Sequence, residues 1–246
     1  MLPIVLCLLA GAAGAGDAGA PLIPAGTARV ADVVDGDTLR LDDGRTLRLV
    51  GIMAPKSVLG DKARAALAGL VSGRTVDLRT GGRPRDRHGR VLAHVFVDGL
   101  WVQGEMLERG MARVQTLADN RSLATGMYAR EQRARGRGLG VWGLSIHAVR
   151  APSETGRWIG TFQVVEGTVA EATRAGGRIY LNFGSDWRND FTVSIPPEAA
   201  ALFRKEKINP LDWKGHPVRV RGWLDSLNGP MIVLSHPEQI EIGAAP

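Results

Sequence analysis

Near the end of the chain, the segment Val218-Arg219-Val220-Arg221-Gly222-Trp223-Leu224 alternates strictly. Successive side chains of an extended strand leave opposite faces, so Arg219, Arg221 and Trp223 share one face and the valines the other. Two guanidiniums beside an indole suit a nucleic acid: the planar fork of arginine grips phosphate, and an indole stacks a base. The nearby stretch IYLNFGSDWRNDF, residues 179–191, adds Tyr180, Phe183 and Trp187 to such a platform. The alternative is that these aromatics fill the core of a small barrel, and the pattern leaves both open. His216 and His236 lack metal-ligand spacing and read as structural.

The charge points the same way but sits elsewhere. Of 246 residues, the stretch 27–150 holds 21 Lys and Arg against 13 Asp and Glu, whereas 151–246 holds 10 against 11. A basic surplus confined to the first stretch attracts polyanions and releases their counterions on contact, so nucleic acid or another polyanion is the expected partner. An Arg-rich solubilising surface is the other reading of that surplus.

The elements that position these residues follow from periodicity and turn chemistry. Residues 1–20 combine an apolar run from Leu2 to Leu9 with small residues and Ala-x-Ala sites, the pattern of a secretory signal peptide. Export to the medium, periplasm or cell envelope is the corresponding expectation. The run is too short to span a bilayer, so no membrane-spanning segment is expected in the mature chain. The single cysteine, Cys7, lies within it, which leaves the mature chain without disulfide or thiolate chemistry.

Alternating strands are predicted at Arg29–Val34, Thr38–Leu41 and Thr46–Ile52, with Asp-Gly turns at Asp35-Gly36 and Asp43-Gly44. A helix capped by Asp61 is predicted to run to Gly73, followed by strands Thr75–Arg79 and Val91–Val97, a short helix Glu105–Arg109 and a longer one from near Asp119 that carries Arg130, Arg133, Arg135 and Arg137. Three strands, a helix, two strands and terminal helices is the order of an OB-type barrel over residues 27–145. Residues 146–160, with Pro152, Ser153, Gly156 and Gly160, are expected to form a linker. A smaller OB-like β-barrel is expected over 161–243, from strands Phe162–Ala170, Arg178–Phe183, Phe191–Ile195, Val218–Leu224 and Met231–Leu234 and a helix Glu198–Lys207. The fold class is thus mainly β with packed helices, in two barrels.

Two motifs sharpen this expectation. The segment VVDGDTLRLDDGRTLRLVGIMAPK (33–56) resembles the core of the staphylococcal nuclease (thermonuclease) family, and DRHGRVLAHVFVDG (86–99) resembles a second motif of that family. With WVQGEMLERGMARV after them, the resemblance covers about 120 residues. It implies a phosphodiester hydrolase acting on DNA or RNA with one Ca2+ ion, two arginines and a glutamate. Carried over by position, Asp37 is a metal carboxylate with Asp35 beside it in the turn, and Arg48 and Arg90 are the phosphate-gripping catalytic arginines. Such roles suit the chemistry, because phosphoryl transfer is stabilised by positioned cations and a hard metal held by oxygens. The competing reading is structural: Asp35 and Asp37 only shape a hairpin, and Arg48 is a surface residue.

The sequence also departs from the family. Where the resemblance implies Asp-Thr-Pro-Glu after the third strand, the chain has Met53-Ala54-Pro55-Lys56. A thioether is a poor ligand for calcium. A lysine ammonium grips phosphate but takes no proton from water at neutral pH, and it can fill the place of the metal by pairing with Asp37. The family's substrate-facing tyrosines are replaced by His88 and by Gln115-Thr116-Leu117. His88 is either a ring substitute, a general base or an exposed turn residue. Three functions remain open: an exported nucleic-acid binder with weak or absent cleavage, an active nuclease that recruits another carboxylate such as Asp61 or Glu105, and a cell-envelope scaffold whose barrels hold proteins.

Overall fold

A computed structural model describes residues 21–186 and 188–243. The expected signal peptide and Trp187 therefore lie outside the described residues.

The first body is built from β1 (Ile23–Asp35), β2 (Thr38–Leu41), β3 (Thr46–Leu49), β4 (Gly51–Met53), α1 (Gly60–Val71), β5 (Thr75–Thr80), β6 (Val91–Val97), β7 (Leu100–Trp101), α2 (Val102–Glu108), β8 (Arg113–Gln115) and α3 (Ala124–Gly136). Its sheet runs β3-β2-β1-β5-β6-β7, and a parallel pairing of β3 with β6 closes five of these strands into the OB-type barrel. Inward alternation supplies the core: Leu39, Leu41, Leu47, Leu49, Val76, Leu78, Val95 and Val97 are all buried, with Leu67 of α1 and Met106 of α2 packed on them.

Two glycines place the functional loops. A Cβ on Gly36 would lie 2.6 Å from the Cβ of Ala63 and 2.7 Å from that of Ala54, so the β1–β2 turn can press against both α1 and the loop after β4 only because the side chain is absent. Gly51 has φ +84° and breaks the predicted single strand Thr46–Ile52 in two. Its distal half, β4, leaves the barrel and pairs with β8 through Ile52 and Val114. Asp61 does not cap α1: the cap position is Leu59, without a side-chain hydrogen bond, and Asp61 lies exposed in the first turn. The last helix starts at Ala124 rather than near Asp119, because Leu123 at φ +61° interrupts the helical path.

The second body contains β9 (Phe162–Thr168), β10 (Glu171–Ala175), β11 (Arg178–Asn182), β12 (Thr192–Ile195), α4 (Pro197–Lys205), β13 (Pro217–Ser226), β14 (Pro230–Val233) and β15 (Ile240–Ile242). Among the described residues these strands form one seven-stranded sheet in which β13 pairs with β9, β14 and β15. Strands β10 and β15 were not legible in the sequence: β10 is a largely exposed hairpin arm and β15 spans three residues. Phe191, Phe203, Trp213 and Ile232 fill its core.

Between the bodies, 3-10 turns occupy Ser145–His147 and Pro152–Trp158. Arg150 and Thr155 are buried there, and Arg150 bridges to Val165 of β9. A third apolar cluster joins Ala134 of α3, Val141 and Trp142 to Val164 of β9, so the two bodies share a packed seam. No helix among the described residues is long and apolar enough to cross a membrane.

Candidate functional site

The β1–β2 turn holds its own shape through an Asx contact, the backbone N–H of Asp37 donating to Asp35 Oδ1 at 3.0 Å. This leaves the Asp37 side chain fully buried beneath the loop after β4. Both of its oxygens are engaged. Oδ1 accepts from Thr38 Oγ1 at 3.1 Å and Lys56 Nζ at 3.1 Å. Oδ2 accepts from the backbone N–H of Ala54 at 2.7 Å and faces the guanidinium of Arg48 at 3.2 Å. Lys56 Nζ also donates to Asp35 Oδ2 at 2.6 Å. Burial alone would raise the Asp35 carboxyl, but hydrogen bonds from Lys56 and from the backbone of Asp37 bring it down to about 2. The ammonium of Lys56 thus bridges the two turn carboxylates.

A calcium ion does not fit these donors. Calcium takes six to eight oxygens, whereas the carboxylate oxygens here already face two cations. Met53 offers sulfur, and among the described residues no group of three or more His, Cys, Asp or Glu is placed to hold a metal ion.

Arg48 sits on β3 between Leu47 and Leu49, which are buried in the barrel, so alternation turns it outward. Its guanidinium donates to the carbonyls of Leu49 at 2.9 Å and Ile52 at 2.7 Å, which fixes it against the bent β3–β4 connection. Burial lowers its pKa, with Asp37 opposing and the nearby Arg90 reinforcing that shift. Arg90 ends the turn 86–90, which the Asp86 carboxylate organises by accepting the backbone N–H groups of His88 and Arg90 at 2.8 and 3.0 Å. Arg90 Nε returns a bond to Asp86 Oδ2 at 2.6 Å. Its two terminal nitrogens have no partner among the described residues, and the side chain is 35% exposed.

Arg48 and Arg90 line one open cleft of about 490 Å³. Arg83, Arg87 and His88 add to its basic wall, and Asp86 and Asp119 are its carboxylates. The sequence reading missed Asp86, Arg83 and Asp119. The spacing of Asp86 and Arg90 was a readable signal, but the Arg83–Asp119 pair, at 2.7 Å, spans too much chain to be read locally. His88 is exposed and accepts from Arg87 Nε at 3.1 Å, which occupies its ring nitrogen and does not suit a general base. Asp61 and Glu105 do not line the cleft, and Glu105 pairs with Arg109 at 3.2 Å.

The expected second surface is not free. Arg221 is 1% exposed and binds Glu131 of α3 at 2.6 Å and Glu241 at 2.5 Å. Burial alone would lower its pKa, but Glu131, with Tyr128 and Glu241, raises it above the ordinary arginine value. Arg219 is buried against Glu166 at 2.6 Å. The shared face read from alternation is real, but it is turned onto the first body, and only Trp223 at its end emerges to solvent. Tyr180 and Phe183 are half-buried, with Phe183 packed against Phe191. His216 is exposed, and His236 is buried with its ring bonded to Thr116 at 2.7 Å.

A closed five-stranded barrel whose outward arginines line a cleft beside a carboxylate turn defines an OB-type domain with a site suited to phosphate. Residues 46–143 match the family described as staphylococcal nuclease homologue. It is similar to the probable staphylococcal-like nuclease CAN1 of Oryza sativa subsp. japonica, 34% identical over 101 residues that make up 40% of this chain and 29% of the relative. It is also similar to two proteins of Bacillus subtilis (strain 168). The SPbeta prophage-derived endonuclease YokF is 31% identical over 44% of this chain and 41% of the relative. The endonuclease YncB is 38% identical over 26% of this chain and 31% of the relative. The chain thus spans less than half the length of these curated relatives.

Proposed function

We propose that this protein holds the phosphodiester backbone of nucleic acid in the cleft between Arg48 and Arg90, with cleavage weak or absent. The observation that carries this reading is the Lys56 ammonium bridging Asp35 and Asp37 at 2.6 and 3.1 Å, beside two arginines that line one cleft. A fixed cation there attracts the same anion that a metal would, but it neither activates water nor accepts a proton. A hydrolase built on the carboxylates of the cleft would have to use Asp86 or Asp119. Both are ion-paired, to Arg90 at 2.6 Å and Arg83 at 2.7 Å. That disfavours them as bases. Export by a leader in residues 1–20 belongs to the same proposal, and the N-terminal residue of secreted protein would test it.

The test is fluorescence anisotropy of a labelled single-stranded DNA octamer with the full chain at low salt. Wild type binds, with an affinity that falls as salt rises, and Arg48→Ala and Arg90→Ala each weaken it. If wild type does not bind DNA or RNA under these conditions, the proposal is wrong and a role in protein contacts is favoured.

A further inference from the structure

Trp223 is 54% exposed although Arg221, on the same face of β13, is 1% exposed. The face that is sealed at the seam therefore opens at the indole. There it borders a pocket of about 260 Å³, whose walls include Gln115 and Leu117. The same two residues also line the Arg48–Arg90 cleft, so the two cavities share a wall and form one groove running from the first body to the second.

The halves of that groove differ in chemistry. Four arginines line the cleft against two aspartates. The second pocket holds Asp225 and the already neutralised Arg221, with Leu117 and Val233 exposed near the indole. A phosphate is thus attracted to the first half and repelled from the second, whereas a flat apolar base suits the second. The indole is also held in place. Its ring meets Phe162 edge-on at 6.2 Å, their backbones pair across β13 and β9, and the Phe162 ring lies under the Arg113 guanidinium at 5.1 Å.

Resting on the function proposed above, we infer that Trp223 is a base-stacking site for a single-stranded stretch of the nucleic acid gripped at Arg48 and Arg90. The second body then completes the binding groove of the first. A base paired and stacked within a duplex offers no free face to the indole, so the ligand class is single-stranded DNA or RNA.

The experiment compares a dinucleotide, a dT octamer, an octamer with abasic residues and a duplex octamer, binding to full-length wild type, Trp223→Ala, Trp223→Phe and Arg90→Ala. Trp223→Ala is expected to weaken the dT octamer by roughly five- to 150-fold, with the abasic octamer, the duplex and the dinucleotide unchanged and with Trp223→Phe restoring most of the loss. Arg90→Ala weakens the dinucleotide and both single-stranded octamers. If Trp223→Ala binds the dT octamer as wild type does, the inference is overturned while the phosphate site stands. A change in sedimentation with unaltered octamer affinity would make Trp223 a contact between copies instead. If wild type binds no oligonucleotide, the proposed function falls and this inference with it.

Discussion

Arg90 and Arg221 are chemically the same side chain in two opposite situations. Arg90 spends one nitrogen on Asp86 and keeps its terminal nitrogens at the edge of an open cleft. Arg221 is enclosed, with Glu131 and Glu241 on its nitrogens and the Tyr128 ring 4.4 Å from its guanidinium carbon. What separates the two is the number of carboxylates folded onto each, one on Arg90 and two on Arg221. In the function proposed above, the first body offers its surplus of cations to a ligand, whereas Arg221 of the second is neutralised across the seam.

The largest effect that sharpens this contrast is on stability. Arg221→Ala leaves Glu131 buried at the seam without its closest partner, and loss of one member of a buried pair costs about 3–5 kcal/mol. Urea denaturation is expected to show that loss, while the protein that remains folded keeps the dinucleotide affinity of the Arg48–Arg90 cleft, which Arg221 does not line. Unchanged stability with lost binding would reverse the roles assigned to the two arginines. Arg90→Ala is expected to do the opposite. Its pair with Asp86 is partly exposed and contributes about 0–1 kcal/mol to folding. A charged hydrogen bond to phosphate contributes about 1.5–3 kcal/mol to binding. Its anisotropy titration should therefore show a loss of roughly ten- to 150-fold, and its salt dependence a slope smaller by about one.

A smaller effect probes the Lys56 bridge through pH. Asp35 titrates at about 2 when folded, below the ordinary carboxylate value of 3.8. Its contribution is therefore complete above the ordinary value and is lost as pH falls through the folded one. Since Asp35 and Lys56 are both partly exposed, that contribution is on the order of 1 kcal/mol after screening. Thermal unfolding between pH 4 and pH 2 should fall less steeply for Lys56→Gln than for wild type. Equal slopes would mean that the bridge does not set the Asp35 titration.

Much of the first body was readable because its signals are local. Asp-Gly turns, alternation around Arg48 and the Asp86–Arg90 turn all act within a few residues. That Arg48 and Arg90 line one cleft was left open by the sequence, and the pairing of Lys56 with Asp37 was one of the arrangements its ammonium allowed. The second body was read less well for a physical reason. Alternation placed Arg219, Arg221 and Trp223 on one face, but the fate of that face depends on Glu131, a helical residue of the other body that is 90 positions away. No local pattern encodes such a partner. The split at Gly51 was similarly hidden, since the space a side chain would need there is taken by Met127 of α3, far along the chain.

In the proposed function a lysine ammonium, and not a metal ion, completes the phosphate site. The most direct measurement is the affinity and integrity of a labelled single-stranded octamer on the full chain, with calcium and with a chelator. The same dissociation constant and an intact oligonucleotide are expected in both. Calcium-dependent release of acid-soluble nucleotides that Arg90→Ala abolishes would contradict the proposed function.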